Sequence, residues 1–337
     1  MEKSIKKTFN HIKIHTQYSI CEGAIKIEDL KNYCKENKIK SVGLCDTSNL
    51  CGALEFADKI SKSGTQPIIG TQIKFKVENT IGLLPLFALN ETGYKNIIDL
   101  SSKSYLENDK LTDPHVNFNN LLTKSAGIAI LSGTSFGLFG QLFDKGKFSE
   151  IHKLYSEIKK IYQDRFYIEI QRHNDENEFA FEKFNLKKSF DLKIPIIATN
   201  EVYYMNKDMH EAHDALICIG NKTYVNEKNR LKFSDQHYFK KSSEMSELFA
   251  DIPEALENNY NFPLRCSYRP SFSLPILPNI SSDKEGNADD ILIKDSINGL
   301  RIKFNNIFGL KDNEIEKNKS HIEYKERLDH ELSIIIE

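Results

Sequence analysis

From Phe9 to about residue 220, short runs of apolar and β-branched residues alternate with longer stretches whose apolar residues recur every three or four positions. The short runs are FNHIKIH (9–15), SVGLCD (41–46), PIIGTQIKF (67–75), LLPLFAL (83–89), GIAILSG (127–133), FYIEIQ (166–171) and IPIIATN (194–200). They predict seven strands, and the periodic stretches predict helices over 27–36, 50–61, 93–105, 148–161 and 177–191. NETGY (90–94) reads as a helix start, with Asn90 or Thr92 as the cap. Strand and helix in alternation imply βαβ units and a mainly parallel sheet. Seven such strands point to a closed or nearly closed β/α barrel in preference to an open doubly wound sheet.

Active sites of such barrels gather at the carboxyl ends of the strands, and polar residues collect there. His15, Asp46, Gln72, Ser132 with Thr134, His173, and Asn200 with Glu201 each end or follow an apolar strand. Loops are polar in any case, so the convergence of six strand ends carries more weight than any one residue. By the two-residue period of a strand, His11, Lys13 and His15 share a face, although Lys13 cannot ligate a metal while protonated. Asp46 is either a carboxylate ligand or, like Asn49, a helix cap. His173 is a ligand or a hydrogen-bonded loop histidine, and Glu201 is a carboxylate at the barrel mouth. Two histidines and two acids make a sparse metal set. His210 and His213 lie one turn apart on a packed helix, where a capping or solvent role is expected.

Beyond residue 220 the alternation stops. NRLKFSDQHYFKK (229–241) interleaves basic and aromatic residues; a solvated edge strand is the preferred reading, with Arg230, Lys232 and Lys240 as the alternative contacts to DNA phosphates. Pro263, Pro270, Pro275 and Pro278 punctuate an extended segment, and SSDKEGNADD (281–290) reads as a linker. The last run, YKERLDHELSIIIE, is an amphipathic helix whose apolar face includes Leu328, Leu332, Ile335 and Ile336, and it is expected to lead into a further domain. The expected organisation is a barrel over 1–220, an extension over 221–280, and a linker with the start of another domain over 281–337. With 46 Lys+Arg against 48 Asp+Glu, the net charge of −2 excludes nucleic-acid binding by bulk charge. No apolar run reaches the ~20 residues of a membrane helix, the amino terminus lacks a secretory signal, and a cytoplasmic location is expected. Six cysteines without C-x-x-C spacing are expected to be thiols.

FNHIKIHTQYSICEGAIKI, VGLCDTSNLCGALEF, PIIGTQIKF, NETGYKNIIDLSSKSYLE, ILSGTSFGLFGQL, FYIEIQRH, IPIIATNEVYY and AHDALICIGNKTYVNEKNRLKFSDQHYFKKSSEM occur in that order. Together they resemble the polymerase and histidinol phosphatase (PHP) domain of the bacterial DNA polymerase III alpha family, over nearly the whole chain. The resemblance implies a distorted (β/α)7 barrel with a C-terminal extension and the first helices of a polymerase core. Intact members hold up to three metal ions on nine ligands. Carried across, His15, Asp46 and His173 match and Glu201 stands for an aspartate, whereas ligands give way to Lys13, Thr47, Gln72, Leu83, Thr134 and Tyr203. The expectation is a vestigial site without metal or catalytic residues, in a scaffold that supports the polymerase core and docks the proofreading exonuclease subunit. A residual metal-dependent phosphoesterase or 3′–5′ exonuclease is the alternative. The parent's polymerase chemistry, its Mg2+ in the palm, its DNA contacts and its other replisome partners are implied for the part of the family beyond these residues.

Overall fold

The computed structural model describes residues 7–108, 112–175, 177–276, 287–309, 314 and 317–337. They fall into two units, Met1–Phe272 and Ser273–Glu337. Pro278 and most of the expected linker at 281–290 lie outside the described residues.

The first unit contains one nine-stranded sheet: β1 (Lys13–Ile14), β2 (Ser41–Thr47), β3 (Gln66–Val77), β4 (Thr80–Ala88), β5 (Val116–Asn117), β6 (Ile128–Leu131), β7 (Phe166–Ile170), β8 (Ile196–Ala198) and β9 (Glu201–Val202). Around it lie α1 (Ile27–Asn37), α2 (Ala53–Lys62), α3 (Glu91–Leu106), α4 (Phe118–Thr123), α5 (Leu138–Asp144), α6 (Phe148–Tyr162), α7 (Glu178–Leu192) and α8 (His210–Asn221). The strand order is β8-β7-β6-β4-β3-β2-β1-β9, with β5 on β3. The two ends of that path, β8 and β9, are separated only by Thr199 and Asn200, so the sheet curves back on itself as an incomplete barrel. The fold is of the α/β class.

The sheet is mixed, where a mainly parallel one was expected: β4 runs antiparallel to both β3 and β6. The cause is local. Val77 pairs with Thr80 across a two-residue turn in which Glu78 has φ 48°, and so short a link allows only a hairpin. The predicted helices form, and Asn90 caps α3 by accepting from the Gly93 N–H at 3.0 Å. Strands β5 and β9, two residues each, carry no sequence period of their own.

Alternation sorts the strands into two faces. Val42, Leu44 and Ile69 pack outward with α1 and α2, and Leu84, Leu86, Ile128 and Ile130 pack outward in a larger cluster with α3, α5 and α6. Inward, Cys45, Ile68, Phe87, Leu131, Tyr167 and Ile197 fill one end of the barrel, which Phe262 closes. Burying these side chains contributes roughly 1.5–3 kcal/mol each for the larger ones. Gly43 keeps the first strand close: a Cβ there would stand 2.3 Å from the Ile12 carbonyl oxygen. The next inward positions toward the mouth are polar, and they make the site.

The 221–280 stretch contributes α9 (Ser242–Leu248) and α10 (Pro253–Asn261) to the same unit. The Asn259 side chain bonds the Asn10 N–H and carbonyl and the Ala198 carbonyl, at 2.8, 2.9 and 3.0 Å. Residues 229–241 form no strand; Tyr204 and Tyr238 share one isolated bridge. The edge-strand expectation fails because the aromatic side chains pack inward separately, Phe233 on Tyr203 and His237 and Phe239 on His11 and Tyr33, with no ladder between them. In the second unit α11 (Ala288–Phe308) and α12 (Lys319–Ile336) pair through Phe304, whose ring contacts His321 and Tyr324, and Leu332 is buried there.

Candidate functional site

At the mouth end, β1, β7 and β9 each direct one charged side chain inward. Lys13 is fully buried, with Nζ 3.3 Å from Glu169 Oε1 and 3.2 Å from Glu201 Oε1. Burial alone would lower the Lys13 pKa, but the two carboxylates hold it well above its ordinary value. Burial would likewise raise Glu201, yet Lys13 and His15 keep it below the usual carboxylate range. Glu169 also accepts from Gln171 at 2.8 Å and from the Thr199 hydroxyl.

His15 follows Lys13 by two residues and reaches the same acid, Nε2 to Glu201 Oε1 at 3.1 Å. His11 does not join them. Ile12 packs into the barrel interior with Cys45 and Phe87, so the alternation slips between Ile12 and Lys13. His11 stacks on Phe239 at 4.1 Å, with Nε2 2.8 Å from the Lys240 carbonyl oxygen. The two-residue period fails because the regular ladder of β1 begins only at Lys13. Burial lowers the His11 pKa to about 4.

Asp46 is neither a helix cap nor free for a metal. It accepts from the Thr16 N–H at 2.7 Å, the Thr16 hydroxyl at 2.8 Å and the Ser19 hydroxyl at 2.7 Å. Asn49 caps no helix either; its Oδ1 accepts from the Cys51 N–H in the turn before α2. Thr47 donates to Glu22 Oε2 at 2.6 Å and accepts from Gln72 Nε2 at 3.1 Å. Tyr203 lays its ring against His15 at 4.5 Å and His213 at 5.2 Å. His213, expected at the surface or as a cap, is buried and bonded to the Glu22 carbonyl oxygen at 2.8 Å, and burial lowers its pKa to about 4. Leu83 and Thr134 line the cavity above this floor.

A second cluster adjoins the first. His173 and His237 stack with centroids 4.0 Å apart and planes 4° from parallel, beside Asp175. His237 and Asp175 are functional-type residues that sequence reasoning missed, as it missed Glu169. His237 reaches Asp175 Oδ2 at 2.8 Å and the Glu201 carbonyl oxygen at 3.1 Å. Burial would raise Asp175, but His237 holds it below its usual range. Burial, then His237 and Lys240, keep His173 well below its ordinary pKa and neutral. It accepts from the Glu201 N–H at 3.2 Å, with Nδ1 3.2 Å from Glu178.

Neither cluster fits the metal ions of an intact PHP site. In the first, an ammonium occupies the gap between the carboxylates and Asp46 is saturated with donors. In the second, His173, Asp175 and His237 bring one ligand atom each within 4.8 Å of one another, but the imidazole planes are parallel with centroids 4.0 Å apart, so an ion in the plane of both rings requires one ring to turn. Among the candidate DNA contacts, Arg230 is held bidentate by Asp214 at 2.7 and 2.6 Å. Lys240 is 4% exposed, its ammonium bonded to Asn200 Oδ1 at 3.1 Å and to the Gln236 carbonyl oxygen. Burial lowers the Lys240 pKa to about 8. Of the three, only Lys232 offers an exposed, unengaged charge.

Residues 11–173 match the PHP domain family. Over 340 residues the chain is 34% identical to DNA polymerase III subunit alpha of Caulobacter vibrioides, covering 97% of this chain and 29% of that protein. With the same subunit of Rickettsia bellii it shares 34% identity over 329 residues, 97% of this chain and 28% of that one. It therefore spans less than a third of these relatives. A crystal structure of a putative metal-dependent phosphoesterase from Bifidobacterium adolescentis is 11% identical with a TM-score of 0.38, covering 57% of this chain and 86% of that chain.

Proposed function

We infer that this chain, which carries a PHP domain of the kind found in DNA polymerase III subunit alpha, is a non-catalytic scaffold within such a subunit. In this reading the parent protein adds deoxynucleotides to a primer end on a template, using Mg2+ held by palm carboxylates that lie outside these 337 residues. The barrel supports that polymerase core and docks the proofreading exonuclease subunit; other replisome subunits and DNA meet the parent elsewhere.

One observation carries the loss of hydrolysis. The Lys13 ammonium stands between Glu169 and Glu201, where a metal-dependent phosphoesterase needs a cation that can exchange water and polarise a phosphate. Lysine supplies the charge but no open coordination position. Purified protein should therefore retain no stoichiometric zinc, manganese or iron. It should also show no turnover of a phosphodiester with any of them added. Metal-dependent turnover that His15→Ala abolishes would favour the residual phosphoesterase or exonuclease instead. Docking is tested by co-elution with the exonuclease subunit, and separate elution at micromolar concentration would remove that part.

A further inference from the structure

Glu201, Gln72 and Tyr203 line a cavity of about 510 Å³, in the size range of small-ligand sites. Three features of that cavity point to one kind of occupant. The first is charge. Four acids, Glu22, Asp113, Asp144 and Glu201, line it against one lysine, Lys74. Lys13 pairs with Glu201 and Lys74 with Asp113, which leaves Glu22 with neutral donors alone among the described residues. Uncompensated charge in a desolvated site is costly unless a counter-ion reaches it.

The second is a surplus of acceptors. Glu201 receives both Lys13 and His15 on Oε1, which leaves Oε2, on a residue lining the cavity, without a partner among the described residues. Gln72, 4% exposed, has its amide orientation fixed: Thr47 gives its proton to Glu22, so it must accept from the Gln72 NH2 group. The Gln72 carbonyl oxygen is then an open acceptor. Tyr203, 5% exposed, lines the same cavity with a hydroxyl that also has no partner among the described residues.

The third is the wall. Leu83, Pro85, Leu231, Phe136 and Phe233 line it, the two phenylalanine rings edge to face at 5.8 Å. Lys74, the cation at the rim, is already paired with Asp113 at 2.8 Å. An aquated metal ion gains nothing from such a wall, whereas a carbon chain and the face of a cationic group do.

We propose that this cavity binds an organic cation, an alkylamine or guanidinium with several N–H donors. Its charged end reaches Glu201 and Gln72, and its carbon chain lies along Phe136 and Phe233. The proposal rests on the reading that the mouth has lost its metals, and it gives the vacated volume a ligand. Free amines and the arginine or lysine side chain of a bound protein present the same chemistry, and the test separates them.

Calorimetric titration of the full chain with agmatine, which carries a guanidinium and an ammonium, should give saturable one-to-one binding. Choline, a cation with no N–H donor, should bind at least about tenfold more weakly. Glu22→Gln and Phe233→Ala should each weaken agmatine about tenfold while the melting transition stays cooperative. Tighter binding of acetyl-Gly-Arg-Gly-amide than of agmatine would assign the cation to a partner protein, and the reverse to a free amine. No saturable agmatine heat, or equal binding by both variants, overturns the proposal. If phosphodiester turnover is also absent, the scaffold reading survives that failure. One-to-one Mn2+ binding that excludes agmatine overturns the cation site, and with turnover it overturns the scaffold reading as well.

Discussion

The two clusters of ligand-type side chains beneath the barrel mouth differ in what holds them together. Around Lys13 the attraction is ionic: a tethered ammonium sits 3.3 and 3.2 Å from two acids, and removing it leaves like charges facing each other in a dry interior. Around His173 and His237 it is directional. Each ring nitrogen has an assigned partner, and the parallel stack holds the planes so that an ion common to both requires one ring to turn. Ligand-type residues within a few ångströms therefore say little about metal binding. What decides is whether lone pairs converge on an empty point: an ammonium fills the first, and the second closes on one ion only if a ring turns.

Breaking the ionic side should have the largest effect. Lys13→Met leaves Glu169 and Glu201 without their shared cation and should cost about 3–5 kcal/mol in urea unfolding, with Lys13→Arg losing less. Unchanged stability in Lys13→Met would mean that the acids take up protons at no net cost. Acid tests two buried histidines beside the clusters next. His11 and His213 are kept neutral by burial, with folded pKa values of about 4 against 6.5 unfolded. Because the unfolded state binds more protons between those values, the stability they give is complete above pH 6.5 and is lost as pH falls toward 4, about 3 kcal/mol each. Glu201 is depressed, so it stays ionised through that window. His213→Gln should flatten the acid limb of a stability–pH curve. The smallest effect is expected at Asp175→Asn, which weakens one hydrogen bond to His237 by about 1–3 kcal/mol and should not alter metal content measured by mass spectrometry.

Most strands were legible because they are buried on both faces, so that SVGLCD and PIIGTQIKF read as continuous apolar runs. The reversal at β4 was harder to read, since its apolar run looks the same in either direction and only the two-residue link before it betrays a hairpin. His15, Asp46, Gln72 and Glu201 were recognisable as strand-end polar residues. His11 was misplaced because a period argument assumes a regular strand, and the chain slips at Ile12. Glu169 had a usable signal, a lone charge inside FYIEI that a buried strand admits only with a partner. Asp175 and His237 had none: 62 residues separate them in the chain, and only the folded loops bring them within 2.8 Å.

The Asn259 side chain, which ties Asn10 to the end of β8, has a consequence in time as well as in space. The backbone N–H and carbonyl of Asn10, just before β1, wait for a residue 249 positions later. A chain emerging from the ribosome at roughly 5–20 residues per second thus spends ten seconds or more with that edge open. Barrel closure is for this reason a late step in folding, and whatever shields a nascent edge strand has its longest task at the beginning of this protein.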